Sequence, residues 1–121
     1  MELLAVIKAS EAFPDGSHIL IWEWDTAWVW DATSGERWLR LSHFSRVNEQ
    51  VYGAAWNESG SLVLTWGEDG TARVWDTTNG EERLRLSHGG PVNGAAWIEN
   101  GSLVLTWSDD GTARVLSLIH I

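Results

Sequence analysis

The stretch "GSLVLTWGEDGTARVW" runs from Gly60 to Trp75, and "GSLVLTWSDDGTARVL" runs from Gly101 to Leu116. Extended back to Gly53 and Gly94, the two copies align over 23 positions without a gap, and 18 of those are identical. A catalytic centre gains nothing from being written twice. A stack of equivalent units does, because each must bury a face against the next. A weaker copy comes first, "AFPDGSHILIWEWDTAWVWD" at Ala12–Asp31, and it aligns with Ala55–Asp76 once single-residue gaps precede Asp15 and follow Asp25. The unit is about 41 residues long. Trp30 and Trp75 lie 45 apart because the connection Phe44–Tyr52 is four residues longer than its later counterpart.

Within a unit the local signals are those of strands. "SLVLTW" (Ser61–Trp66) is too short for a helix, and its apolar residues fall on both faces, as in a strand covered on both sides. Asp69-Gly70 then supplies a hairpin signal before the alternating "TARVWD". Asn79-Gly80 supplies a second turn before "RLRLSH", and "PVNGAAW" (Pro91–Trp97) opens the next unit with small residues suited to an inner strand. Each unit is therefore predicted to be four short antiparallel strands, and the fold class all-β.

Composition limits the functions on offer. Seventeen acidic against eight basic residues leave a formal charge of −9, which repels phosphate backbones and anionic lipid heads and argues against nucleic acid and membrane as partners. There is no cysteine, so no disulfide framework, thiolate nucleophile or cysteine zinc site is available. The apolar run after Glu2 is five residues long, too short for a secretory signal, and nothing approaches a membrane span. These features predict a soluble, cytoplasmic, acidic protein.

Four strands per unit, the Gly-Ser turn, the Asp-Gly hairpin and "RVWD" at the end of the third strand resemble the blades of WD-repeat β-propellers. The resemblance covers Val6 to Leu116 and is strongest to the near-identical, recently amplified blades of bacterial WD-repeat proteins. It implies blades over about residues 5–42, 47–87 and 92–121, the last without its outer strand, in an incomplete ring. It also implies a polar bracket in each blade. A His before the inner strand and an Asp in the hairpin would meet a hydroxyl and the third-strand Trp. The middle blade offers His43, Asp69 and Trp75, with Gly67 at the hydroxyl position unless Thr65 substitutes. The last offers His88, Ser108 and Asp110, with Leu116 in place of Trp; the first offers Asp25 and Trp30, with Glu23 at the hydroxyl position. No blade carries a complete set, and half-satisfied networks predict weakened blades. Trp22, Trp66 and Trp107 stand where the family carries a small residue, and their large rings are expected to compensate by packing.

The resemblance further implies that the residues just before each hairpin Asp contact partners: Trp24, Glu68 and Asp109, with Asn93 and Asn48 on the same rim. Their acidity favours a protein or peptide partner of basic character. The bland alternative is a set of solvated turn residues. His88, Ser108 and Asp110 also spell a hydrolase triad, but residues that recur with the period fit a structural bracket better than a single special site. "SDDG" lacks the bidentate Glu of a calcium loop, so no metal and no cofactor is expected. The expected function is a non-catalytic interaction scaffold or sensor segment. Closed propellers take 4–8 blades. The tail "LSLIHI" (Leu116–Ile121) departs from the repeat, and Met1 falls inside an inner strand, so a segment of a longer protein is expected. The alternative is a unit that completes its ring as a homo-oligomer.

Overall fold

The computed structural model describes residues 10–12, 17–42, 49–99 and 101–118. Their regular structure is all strand, in three antiparallel sheets taken in chain order. The first holds β1 (Ser10–Ala12), β2 (His18–Glu23), β3 (Thr26–Asp31) and β4 (Arg37–Ser42). The second holds β5 (Val51–Trp56), β6 (Leu62–Gly67), β7 (Thr71–Asp76) and β8 (Glu82–Ser87). The third holds β9 (Val92–Ile98), β10 (Leu103–Ser108) and β11 (Ala113–Ser117). Every sheet is a simple meander, with each strand paired to the next along the chain.

The repeat in the sequence becomes a repeat in register. Leu64 lies opposite Val74 and Ala55, just as Leu105 lies opposite Val115 and Ala96. Irregularities recur too. The pairing slips at Val29/Trp30 in the first sheet and at the equivalent Val74/Trp75 in the second. Such bulges bend a strand and increase its twist.

No sheet has a core of its own, so the cores lie between sheets. Leu20, Ala27, Val29 and Leu41 of the first sheet pack on Ala54, Trp56, Val63 and Trp75 of the second. Leu64, Ala72 and Val74, from the other face of the second sheet, pack on Ala95, Val104 and Leu118. The middle sheet is thus buried on both faces, which explains why β6 and β7 read as nearly continuous apolar runs. Each fully buried Leu or Val side chain contributes about 1.5–3 kcal/mol, so the packing of sheet on sheet, rather than any one hairpin, holds the arc. A polar bond reinforces it: the Trp97 indole N–H donates to the Ala55 carbonyl of the preceding sheet at 3.1 Å.

The same logic exposes the third sheet. The face of β10 and β11 that matches Leu64, Ala72 and Val74 carries Trp107, 43% exposed, and Val115, 58% exposed. Trp66, the equivalent of Trp107, instead packs against the core that the second and third sheets share. Both indoles lie across a glycine on the neighbouring inner strand. A Cβ on Gly53 would stand 2.2 Å from the Trp66 ring, and one on Gly94 would stand 2.0 Å from that of Trp107. The large ring and the missing side chain form one device: the glycine of the inner strand makes room for the tryptophan opposite it.

Candidate functional site

The hairpins joining the second and third strands of each sheet share one rim. In the second and third sheets the tight turn is made by Gly70 and Gly111, with φ of +84° and +85°. The first hairpin is one residue shorter, and a non-glycine takes the left-handed conformation there, Trp24 at φ +54°. A bulky residue with positive φ is a genuine outlier, costing about 1–3 kcal/mol. Trp24 is also 65% exposed, so nothing in its own fold repays that strain by burial.

Below the rim, the hairpin carboxylates organise the turns. Asp25 accepts from the Thr26 hydroxyl at 2.8 Å, and Asp69 accepts from the N–H and hydroxyl of Thr71 at 2.9 and 2.7 Å. Asp110 accepts from the N–H and hydroxyl of Thr112 and from the Gly89 N–H. Asp69 also pairs with Arg73 at 3.0 Å. In the third sheet the His88 ring, with its side chain fully buried, bridges Asp110 at Nδ1 (3.1 Å) and Thr106 at Nε2 (2.7 Å). A carboxylate only accepts, so Nδ1 carries the proton toward Asp110.

The hydroxyls that meet His88 are those of Thr106, at Nε2, and Thr112, 3.0 Å from Nδ1, and Ser108 is not among them. Ser108 Oγ donates to the carbonyls of Pro91 and Gly90, at 2.8 and 3.1 Å, and accepts the Asp110 N–H. The register slip between Trp107 and Ser108 puts its extra residue, Asn93, on β9, so Ser108 stays on the face of Thr106 but sits two residues nearer the hairpin. In the second sheet it is Thr65, the named substitute for a hydroxyl at Gly67, that accepts from the Trp75 indole N–H at 2.9 Å. In the first sheet the equivalent residue is Ile21, and the buried Trp30 Nε1 has no partner among the described residues. His43 and Asn48 lie outside the described residues. Ile21→Thr is thus expected to stabilise the protein by about 1 kcal/mol, the net worth of one new buried hydrogen bond. Thermal melts of wild type and variant check it, and a neutral or negative shift would contradict the assignment.

The Thr112 hydroxyl, then the Gly89 N–H and, more weakly, His88 hold the Asp110 carboxyl well below the usual carboxylate range. Asp76, in the turn after β7, is lowered to about 2, first by the Thr78 hydroxyl and then by Arg83, whose guanidinium lies 2.7 Å away. A carboxyl with a depressed folded pKa adds stability above its unfolded value near 4, and that stability is lost as pH falls through the folded value. Melting temperature is therefore expected to fall progressively below about pH 4. Asp110→Asn should flatten part of that slope, which melts recorded from pH 7 down to pH 2 would show.

Glu68 and Asp109, the residues before the hairpin Asp, have matching anchors. The Glu68 N–H donates to the Gln50 carbonyl at 2.9 Å, and the Asp109 N–H donates to the equivalent Pro91 carbonyl at 3.1 Å. Asn93 donates its side-chain amide to Asp109. Tyr52 occupies the position equivalent to Asn93 and is 43% exposed. Desolvation, then the charges of Glu68 and Asp109, push its phenol up from the ordinary value. Reading by spacing missed Tyr52, although its equivalence to Asn93 could have found it. The rim thus combines Tyr52 with two carboxylates, and Trp24 lies next to it through a backbone bond from the Val51 N–H to the Trp24 carbonyl.

His88 and Ser108 form no hydrogen bond with each other. Among the described residues, no three His, Asp or Glu side chains gather to hold a metal, and no helix is long and apolar enough to cross a membrane.

A comparison with curated proteins found no matching relative. Solved structures similar to this chain include the β-propeller domain of Cps50 (Swd1) from Myceliophteria thermophila, with a TM-score of 0.81 and 16% identity. That match covers 94% of this chain and 36% of the other, so the chain spans about a third of that protein's length and shares its fold: the three sheets are consecutive blades of an incomplete propeller. The family model "WD domain, G-beta repeat" matches residues 39–76 and 80–117, more than half of the sequence. With repeat, register and hairpins in agreement, the chain belongs to the WD-repeat family.

Proposed function

We propose that this chain is a non-catalytic protein-interaction module whose hairpin rim, formed by Trp24, Tyr52, Glu68, Asn93 and Asp109, holds a basic peptide segment of a partner. WD-repeat propellers generally serve as protein-interaction scaffolds, which sets the class. The observation that carries the reading is Trp24, a bulky residue held in a left-handed conformation and left in solvent. Strain of this kind persists where the surroundings or a ligand give it a use. Carboxylates close to aromatic rings favour a Lys or Arg side chain, through charge and through the ring faces.

Binding of labelled Lys/Arg-rich and Asp/Glu-rich peptides, followed by anisotropy, tests the reading. Basic peptides are expected to bind, more weakly as salt rises. Glu68→Lys with Asp109→Lys should lower the affinity about tenfold or more. Trp24→Gly should raise stability by about 1 kcal/mol while weakening binding. Equal affinity for acidic peptides, or indifference to all three substitutions, would overturn it.

A second reading, ring completion by copies of the chain, draws on the exposure of Trp107 and Val115 on the outward face of the third sheet. Sedimentation at rising concentration should then show one discrete oligomer in which Trp107 becomes protected from quenching. A monomer throughout would dismiss it.

A further inference from the structure

Asparagine followed by glycine occurs three times in the chain, at Asn79-Gly80, Asn93-Gly94 and Asn100-Gly101. Asn100 lies outside the described residues, and the other two asparagines meet opposite surroundings. Asn93 stands in β9, where Gly94 is paired with Trp107 and the Asn93 side-chain amide is held by Asp109. Asn79 is exposed, in the turn between β7 and β8.

That turn folds the Asn79 side chain back along the Gly80 peptide, because Asn79 Oδ1 accepts the Glu81 N–H at 2.9 Å. The bond draws electron density from Cγ. It also places a donor at the oxygen where charge grows when the Gly80 nitrogen attacks that carbon. Gly80, with φ of +76°, has no side chain to obstruct the approach. The amide nitrogen of Asn79, the group that leaves, makes no hydrogen bond among the described residues. One bond opposes the attack: the Gly80 N–H donates to the Asp76 carbonyl at 2.8 Å and must let go first. The first sheet makes the same turn without a carboxamide. There Ser34 Oγ accepts the Glu36 N–H at 3.1 Å, and the Gly35 N–H donates to the Asp31 carbonyl at 2.9 Å. The turn therefore needs an acceptor at this position, and Asn79 supplies one that can also react.

We infer that Asn79 is a site of spontaneous deamidation, which converts it to aspartate or isoaspartate and loosens the contact between the first and second sheets. The Gly80 nitrogen gives up its proton and bonds to Asn79 Cγ, the Cγ–Nδ2 bond breaks, and ammonia leaves carrying that proton. Water then opens the cyclic imide: addition at Cγ gives aspartate, and addition at the backbone carbonyl carbon gives isoaspartate. Either product adds a negative charge to a turn flanked by Asp76, Glu81 and Glu82. Isoaspartate also lengthens the backbone next to Gly80, where an added Cβ would stand 3.5 Å from Leu39 of the first sheet. The site does not depend on what the hairpin rim binds.

The test ages the full chain at mildly alkaline pH and follows it by tryptic peptide mapping. Asn79 falls alone in Val74–Arg83, whereas Asn93 and Asn100 share Leu86–Arg114. Fragment masses locate the exchange of NH2 for OH, and reversed-phase separation distinguishes aspartate from isoaspartate. In the folded chain Asn79 is expected to convert about tenfold faster than Asn93, which must first give up its Asp109 bond. In denaturant the two rates should converge. Aged protein should melt about 4 °C below fresh protein. Asn79→Ser, which keeps the turn that Ser34 makes, should recover most of that loss. A Val74–Arg83 peptide that stays unchanged, or equal rates at Asn79 and Asn93 in the folded chain, would overturn the inference. So would an equal loss of melting temperature in aged Asn79→Ser.

Discussion

Gly53→Ala is expected to destabilise the protein by about 2–3 kcal/mol, while the same change at Gly94 costs about 1 kcal/mol. Both glycines sit opposite a tryptophan in register, and both added methyl carbons would overlap its ring. What differs is where the ring can go. Trp66 is pressed between its own inner strand and the core shared with the third sheet, so relief at Gly53 must displace Leu64, Val74 or their neighbours. Trp107 lies on an uncovered face and can swing into solvent. At about 4 °C of melting temperature per kcal/mol for a domain of this size, the two variants should separate clearly in a thermal melt. Pairing Gly53→Ala with Trp66→Leu should cost less than the two single changes added together, because the smaller side chain vacates the space the methyl needs. Equal costs at Gly53 and Gly94 would mean that the third sheet's outward face is covered in solution, which bears directly on ring completion by copies.

Much of this was legible in the sequence because a repeat states the same physical problem more than once. The strands over Leu62–Gly67 and Thr71–Asp76, the Asp-Gly corners and the all-β class follow from alternation and turn chemistry, which are local. The bracket was legible only in outline. The resemblance assigned the hydroxyl to Ser108, whereas Thr106, two residues earlier on the same face of the strand, meets His88, and alternation does not distinguish two hydroxyls on one face. Trp24 shows the opposite case. The shorter first hairpin was visible as an alignment gap, yet the positive φ that makes the residue unusual is a property of backbone geometry. "GTARVW" and "GTARVL" read alike, and only the neighbours decide that one is buried and the other open.

Thr65→Val is the second large expected effect, a loss of about 2 kcal/mol, within the range for stranding a buried donor. The two side chains have nearly the same shape, so the substitution leaves packing intact and removes the oxygen that accepts the Trp75 indole N–H. Thr65 is fully buried and Trp75 nearly so, hence water cannot take over as partner. Thr65→Ser keeps the oxygen and should lose only the methyl group's burial, about 0.8 kcal/mol. The order Val below Ser below wild type separates a hydrogen-bonding role from a packing role, since packing alone would favour Val over Ser. The first sheet already carries this arrangement in Ile21 and Trp30, so Thr65→Val with Ile21→Thr amounts to moving one acceptor between neighbouring sheets. If the bracket acts within each sheet, the gain at Trp30 should offset part of the loss at Trp75, and melts of the double variant should lie between wild type and Thr65→Val. A double variant no more stable than Thr65→Val alone would show that the unpaired indole of the first sheet is satisfied in solution by another group.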